Sequence, residues 1–352
     1  MKRTFFSLLM VAILLSACAK NNTNVVIETT EAAKADDKVS SELVETTKGT
    51  TTNEVIESVN HMTEREFSFD PDNKFRYTGD DQYLKVITDE MVNIGEKNFG
   101  GQGAVVIPTP YIAKVDDSDK DDIKVYGDFY INGYTMNGTI FMFKCGGSYP
   151  GCYHLKEEDG KVVYLNQEIA EDGSRFDSSL RRICGNDESL VKAILAVKDG
   201  DFDKTRIEYV EMYAKEKGLR VSGIKDYGWP IILFNNISDA EFLYNFYSSY
   251  FSEIREEDYL NDLEERLMRL KEKYITKDAL ADIDKKTSEV GADMIISAQD
   301  VTDEMEDTLQ VDDLGNGNLK VSFSIGDNIV TVIDVKLGEV NGNKMITKIS
   351  VE

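Results

Sequence analysis

The strongest constraint on the fold lies near the C-terminus, where apolar side chains alternate with polar ones. Every second position of the run LKVSFSI is apolar, at Leu319, Val321, Phe323 and Ile325. Successive side chains of a strand point to opposite faces, so this pattern predicts a strand with one buried face. The turns GNG and GDN lie on either side of it and favour tight hairpins. Residues 308–351 are therefore predicted to form four antiparallel strands.

Helical spacing precedes these strands. Ser238 and Glu241, three residues apart, predict a capping box at the start of a helix. The predicted buried side of that helix carries Phe242, Phe246, Tyr250 and Ile254. A second helix is predicted near residues 259–274, and a third begins in TKDALADI. Helices followed by an antiparallel meander predict an α+β domain over residues 238–352, with the helices on one face of the sheet.

The preceding residues, 62–234, predict a second α+β domain, with a cone-like shape similar to the C-terminal one as an option. A helix over residues 81–99 leads into short β-rich runs and then into three helices. Asp177 and Asp187 are predicted N-caps, and Gly218 is predicted to end the third helix. In the run DYGWPIILF, Pro230 holds Trp229 out of helical geometry. We interpret Trp229 as a packing plug rather than a platform for a sugar.

The N-terminus has the features of an export signal. A cationic start, Met1-Lys2-Arg3, precedes an apolar run that is far shorter than the ~20 residues a membrane-spanning helix needs. The run ends in LSAC, which resembles the lipobox of bacterial lipoproteins. The resemblance implies that residues 1–18 are a signal peptide and that Cys18 is acylated, which holds the protein outside the cytoplasm at a cell surface or in a periplasm. Residues 19–61 are polar and nearly free of aromatic residues, so they predict a flexible tether.

The charge of the chain argues against nucleic acid as a partner. Forty Lys and Arg residues stand against 65 Asp and Glu residues, a net charge of -25. Nucleic-acid binding depends on clustered cations that neutralise phosphates. The acidic run from Asp116 to Asp122 echoes a calcium loop, but Asp122 stands where a glycine is needed and Asp128 where a glutamate belongs. We predict an exposed hairpin tip there, and we predict no metal or cofactor.

Two further resemblances come from longer phrases. The last ~115 residues, through YNFYSSYFSEI, YITKDAL and the stretch from Asp293 to Asp300, resemble bacterial domains of unknown function with a cone-shaped fold similar to nuclear transport factor 2. That resemblance implies a pocket between the long helix and the concave sheet. The residues predicted to line it are Asp293, Gln299, Asp300 and Tyr250. The phrases GGSYPGCYHL and DYGW resemble an uncharacterised secreted domain of gut anaerobes with no assigned activity.

The segment KCGGSYPGCYHL, residues 144–155, concentrates reactive residue types. A disulfide between Cys145 and Cys152 is one prediction, because a tight turn can bring their Cα atoms within bridging distance. Cys184 would then remain unpaired. Cys152 and His154 lie two apart and would share a face of a strand, so a nucleophile with its base is a second interpretation. The third is a glycine-rich hairpin with buried cysteines, and this is the one we favour over catalysis or metal binding.

The function predicted is that of a lipid-anchored extracytoplasmic binding or scaffolding protein, without enzymatic activity. Its partners are the membrane, through the anchor, and an unknown small molecule, glycan or protein. The alternative is a hydrolase that uses Cys152 and His154, or pocket carboxylates such as Asp293 and Asp300. The sequence contains no phosphate loop, dinucleotide fingerprint or HExxH run, which disfavours the corresponding enzyme classes.

Overall fold

The structure, a computed structural model, describes residues 66–68, 70–99, 102–196, 199–255, 262–326 and 330–351. The predicted signal peptide, Cys18 and the tether over residues 19–61 lie outside these ranges, so those statements stay predictions. Within the ranges, helices pack on two separate sheets of seven and four strands. The predicted α+β class is therefore confirmed, and each sheet has its own apolar core. None of the helices in these ranges is long and apolar enough to cross a membrane.

The N-terminal sheet is mixed. Its strands are β1 (Val105–Asp116), β2 (Ile123–Asn137), β3 (Ile140–Gly147), β4 (Pro150–Glu158), β5 (Lys161–Ile169), β6 (Gly223–Lys225) and β7 (Ile232–Leu233). The spatial order is β5-β4-β2-β3-β6-β7, with β1 paired to β2. Every pair is antiparallel except β3 with β6.

One long strand organises this sheet. β2 has 15 residues and pairs with β1 along almost its whole length. Its other edge pairs with β4 over Ile123–Asp128 and with β3 over Ile131–Asn137. The chain therefore continues along the same edge of β2 when it passes from β3 to β4, instead of folding back beside β3.

Four helices cover both faces of this sheet: α1 (Gln82–Phe99), α2 (Phe176–Ile183), α3 (Glu188–Ile194) and α4 (Asp199–Lys217). α1 approaches closely at Gly95, where an added Cβ would lie 2.5 Å from Val106 and 2.8 Å from Ile131. α4 reaches the opposite face, where Arg206 Nε donates to Tyr134 Oη at 3.0 Å. The C-terminal sheet, described below, is a simple four-stranded meander with a different strand order. The predicted similarity between the two halves is therefore limited to the α+β class.

Two of the three predicted helix boundary residues are confirmed. The Asp187 carboxylate accepts from the backbone N–H of Ser189 and of Leu190, as an N-cap should. Gly218 ends α4 with a φ of +63°, the left-handed conformation that glycine adopts without strain. The prediction for Asp177 is wrong, because α2 already begins at Phe176. The Asp177 carboxylate instead pairs with Arg181 one turn later.

The C-terminal half is a helical layer followed by a meander. Its elements are α5 (Asp239–Arg255), α6 (Leu263–Tyr274), α7 (Lys277–Val290), α8 (Asp303–Asp307), β8 (Gln310–Gly315), β9 (Asn318–Ser324), β10 (Val330–Val340) and β11 (Asn343–Val351). The strand order β11-β10-β9-β8, antiparallel throughout, confirms the predicted four-stranded meander. Asn341 and Gly342 both have positive φ, as the tight hairpin predicted there requires.

The interior of the C-terminal half is filled by aromatic rings. Phe242, Phe246 and Tyr250 of α5 are buried as predicted. Tyr247 and Phe251, on an adjoining side of α5, are equally buried and pack against Phe323 of β9. α5 is buried on more than one side because it lies between the meander and helices α6 and α8.

The two halves meet through specific polar contacts. The Tyr274 hydroxyl of α6 accepts from Leu233 N at 2.8 Å and donates to Ile231 O at 2.5 Å, so it pairs with the backbone of β7 and its approach. The capping box at α5 forms only in part. Ser238 Oγ accepts from Glu241 N at 3.1 Å, but the Glu241 carboxylate binds Arg220 and Ser222 of the N-terminal half. Side chains of the C-terminal half therefore complete the edge of the N-terminal one.

Candidate functional site

Cys152 is buried in β4, and its thiol is not activated as a nucleophile. It lies opposite Tyr126 of β2, which packs on a small apolar core formed by α2 and α3. Its sulfur lies 3.6 Å from Tyr153 O, a weak hydrogen-bond contact. Burial raises the pKa of the Cys152 thiol to about 12. A nucleophilic cysteine needs the opposite shift, because the thiolate is the attacking species.

His154 has a partner that the sequence did not reveal. Its Nδ1 lies 2.6 Å from Oδ1 of Asp122, at the end of the β1–β2 turn. This hydrogen bond, followed by the effect of Lys124, lowers the pKa of the Asp122 carboxyl. Cys152 and His154, both within the described residues, form no hydrogen bond with each other. The pair thus provides an oriented imidazole without an activated nucleophile.

The predicted disulfide between Cys145 and Cys152 is wrong. Cys145, Cys152 and Cys184 are all buried, and no disulfide joins Cys145 to Cys152. Cys145 lies opposite Gly133 and Cys152 opposite Tyr126, seven residues apart along β2. Seven residues of strand span about 23 Å, and a bridge needs Cα atoms within about 7 Å. The interpretation as a glycine-rich segment with buried cysteines describes the structure best.

The acidic run between β1 and β2 forms the predicted hairpin tip. The Asp116 carboxylate accepts from Ser118 N and the Asp119 carboxylate from Asp121 N, so these groups satisfy the backbone of the turn. Across the residues that the structure describes, no group of three or more His, Cys, Asp or Glu side chains converges as a metal site would require.

Asp128 is the buried carboxyl nearest to the glycine-rich segment. It ends the part of β2 that pairs with β4, is 6% exposed, and accepts from Ser148 Oγ at 2.8 Å. Burial raises its pKa to about 6, and hydrogen bonds from Ser148 and Tyr130 offset part of that rise. The group is enclosed by the sheet, which favours a structural role.

Two of the four residues predicted for the cone lie together. The Tyr250 hydroxyl donates to Asp293 Oδ2, and Lys271 Nζ lies 3.8 Å from the same oxygen. Burial, and then the Asp293 charge, raise the pKa of the Tyr250 hydroxyl. Asp293 Oδ1 also accepts from Ile295 N at 2.9 Å, so Asp293 stabilises a turn. Gln299 and Asp300 are exposed and do not join this group.

A different surface presents aromatic rings to solvent. The loop from β6 to β7 contains a turn from Asp226 to Trp229, which we call the aromatic turn. Tyr227 is 71% exposed and Trp229 is 60% exposed. Our interpretation of Trp229 as a packing plug is therefore wrong. Pro230 fixes the local backbone, but most of the indole ring remains in solvent.

The aromatic turn is held from below by Arg206 of α4. The Arg206 guanidinium, 3% exposed, donates to both oxygens of Asp226, at 2.6 and 2.8 Å. It lies over the rings of Phe202 and Tyr134, at 5.2 and 5.7 Å. Trp229 N donates to Asp226 O at 3.2 Å, and Gly228 between them has a φ of +72°. The turn is thus anchored to a buried cation.

Helix α6 and its neighbours hold the same turn from the C-terminal half. Arg269 donates to Gly228 O at 3.2 Å, and its guanidinium lies 5.2 Å from the centre of the Trp229 ring. Lys225 donates to Trp229 O at 2.8 Å and pairs with the buried Glu253. Glu253 in turn accepts from Arg266 at 3.1 Å. Both halves therefore fix the position of one exposed loop.

Lys273 of α6 lies close to this network. Its ammonium is 3.4 Å from Asp203 of α4. Burial lowers the pKa of the Lys273 ammonium, and the Asp203 charge opposes that change. The contact adds a second link between α4 and α6, the two helices that hold the aromatic turn.

Comparisons with known proteins identify no family for this chain. No family model matches the chain, and no curated protein matches it. A protein of unknown function from Bacteroides thetaiotaomicron is 23% identical over 32% of this chain and 88% of its own, with a TM-score of 0.30. A nuclear transport factor 2-like protein involved in plasmid conjugation is 8% identical over 80% and 91%, with a TM-score of 0.17. Scores this low carry no argument about function.

Proposed function

We propose that the protein is a non-enzymatic binding or scaffolding protein, held outside the cytoplasm by lipid on Cys18, whose binding surface is the aromatic turn. The observation that carries the proposal is the exposure of Tyr227 and Trp229 on a backbone fixed from both halves. The ligand is a small molecule, a glycan or a protein.

The rigidity of the turn supports binding. Asp226, Gly228 and Trp229 each accept a hydrogen bond from a cationic side chain, namely Arg206, Arg269 or Lys225. A loop that is already ordered loses little conformational entropy when a ligand arrives, so more of the interaction energy appears as affinity. Loops positioned by a rigid scaffold are common binding surfaces.

The alternative, a hydrolase, has weaker support. The raised pKa of the Cys152 thiol keeps it neutral at physiological pH, and the His154 imidazole is hydrogen-bonded to Asp122. Asp293 and Asp300 do not come together, since Asp293 holds a turn and Asp300 is exposed. Neither candidate set places an activated nucleophile beside a base.

Trp229 makes the binding proposal directly testable, because it is the only tryptophan of the chain. Its fluorescence reports on the aromatic turn alone. The free protein should show red-shifted emission and efficient acrylamide quenching. Neutral polysaccharides, polygalacturonate and a tryptic digest of casein serve as three probe classes. Protection of Trp229 from acrylamide by any one class supports binding, and the same quenching in the presence of all three contradicts it.

The anchor needs its own test. Cells fed a clickable palmitate analogue should label the wild-type protein, and the protein should fractionate with membranes. Cys18→Ala should lose the label and the membrane association. A wild-type protein that carries no label contradicts the lipid anchor and leaves the aromatic turn to be judged by its own experiment.

A further inference from the structure

The chemistry around the aromatic turn narrows the ligand class. We infer that the aromatic turn binds a neutral polysaccharide, with one pyranose ring stacked on the free face of Trp229 and the neighbouring part of the chain against Tyr227. This inference rests on the proposed binding function. It adds the ligand class and the role of each ring.

One face of the Trp229 ring is covered and the other is free. The Arg269 guanidinium lies over the ring at 5.2 Å and covers one face. With 60% of the residue still exposed, the other face is open to solvent. A cationic ligand gains less from a ring whose electrons already interact with a guanidinium, and the two cations would also repel each other. The open face therefore favours an uncharged apolar partner, such as the C–H face of a sugar ring.

Charged side chains lie beside the two rings. Asp226 keeps part of its carboxylate accessible, and Arg269 pairs with the exposed Glu265 at 3.1 Å. These groups supply hydrogen-bond donors and acceptors around two small apolar surfaces. Sugar rings have the complementary arrangement, with apolar C–H faces and hydroxyl groups at the rim. Asp and Glu are depleted from the central part of a protein interface, so the carboxylates of Asp226 and Glu265 beside the rings suit a protein partner less well.

The net charge of the chain disfavours anionic ligands. A chain with a net charge of -25 repels polyanions at long range. The cations that touch the turn do not change this, because Arg206, Lys225 and Arg269 are each paired with a carboxylate, respectively Asp226, Glu253 and Glu265. Acidic polysaccharides and nucleic acids are thus disfavoured, and a neutral glycan remains.

Affinity electrophoresis tests the inference with the intact protein. Native gels contain soluble starch, mannan, mixed-linkage β-glucan or polygalacturonate, and the mobility is compared with that in a plain gel. We expect at least one neutral polysaccharide to retard the wild type. Trp229→Ala and Tyr227→Ala should each weaken the binding about tenfold, because each removes one stacking surface. Trp229→Phe should retain part of the binding.

The matched control is Leu314→Ala. Leu314 is 60% exposed, as Trp229 is, but it lies in β8 of the other sheet, so its loss should leave the retardation unchanged. Retardation that survives in Trp229→Ala overturns the inference. Binding of only polygalacturonate or casein peptides, seen by protection of Trp229, overturns the neutral glycan and leaves the binding function intact. If none of the probes protects Trp229, both the neutral glycan and the binding function are overturned.

Discussion

Two short segments of this chain have similar sequence character and opposite fates. The glycine-rich segment of residues 144–155 and the aromatic turn of residues 226–229 each combine glycine and a proline close by with residues that often do chemistry. In the first, β2, α2 and α3 enclose Cys152, and this burial raises the pKa of its thiol and so lowers its reactivity. In the second, the polar contacts fix the backbone and leave both rings in solvent. Composition marks a segment as unusual, and the elements packed around it decide whether it is accessible.

The largest effect expected from this contrast is in thiol reactivity. With a pKa of about 12, about one Cys152 thiol in 10,000 is ionised at pH 8, whereas an unfolded cysteine with a pKa of about 8.5 is ionised to roughly a quarter. Alkylation of native Cys152 by iodoacetamide at pH 8 should be more than about 1,000-fold slower than in urea. Mass mapping of the labelled peptide measures the two rates. Rapid labelling of native Cys152 would show that the segment is open.

The next largest effect concerns the anchor of the aromatic turn. Arg206→Met removes a buried guanidinium and leaves Asp226 without its partner, so we expect a loss of about 4 kcal/mol in the free energy of unfolding. Urea denaturation measures it. Arg181→Met is the control, since Arg181 pairs with Asp177 at the surface and its loss should cost far less than the loss of Arg206. Equal losses in the two variants would mean that the turn does not depend on its buried cation.

Asp128 gives a pH-dependent effect in the enclosed segment. Its folded pKa of about 6 lies above the ordinary value of 3.8, so ionisation is harder in the folded state. Stability is therefore lost as pH rises from about 4 through 6, by up to about 3 kcal/mol. Asp128→Asn should be more stable than wild type at pH 8, and this advantage should shrink as the pH falls to 4.

A control with the opposite sign is available at the hairpin tip. Hydrogen bonds from Ser118 lower the pKa of Asp116. The stability difference between Asp116→Asn and wild type should therefore disappear as the pH falls below 4, whereas the difference for Asp128→Asn grows as the pH rises. Urea denaturation at pH 3, 4, 6 and 8 follows both variants. A constant difference between Asp128→Asn and wild type across this range would place Asp128 in contact with water.

The smallest effect is expected at the aromatic turn itself. Trp229→Ala should change the free energy of unfolding by about 1 kcal/mol or less, because the ring is largely exposed and loses little more than its contact with Arg269. Tyr153→Ala, in the enclosed β4, should cost about 4 kcal/mol. Thermal or urea unfolding measures both. A large cost at Trp229 would restore its interpretation as a packing plug.

Local patterns predicted the elements well. The alternation at Leu319, Val321 and Phe323 gave the correct strand and buried face, and the turn at Asn341-Gly342 was placed correctly. The Asp187 cap was also correct. These features depend on residues within one turn or one strand, so residues that are close together in the sequence determine them.

Features that depend on register were not predicted. The Asp122–His154 pair joins residues 32 positions apart and exists because Lys124 pairs with His154 across β2 and β4. The prediction of a Cys145–Cys152 bridge failed because β3 and β4 follow one edge of β2, a topology that no local pattern encodes. The exposure of Trp229 likewise depends on what packs beside the loop. Contacts between distant segments, more than helices and strands, define the candidate site.

The contact of Tyr274 with β7 has a consequence for any attempt to separate the two sheets. A chain that stops at residue 234 would lose the hydroxyl that satisfies Leu233 N and Ile231 O. Those two backbone groups would then lie unpaired at an exposed sheet edge, where the backbone of another chain can pair with them. We expect such a fragment to self-associate. The N-terminal sheet is therefore protected from pairing with other chains only while the C-terminal half remains attached.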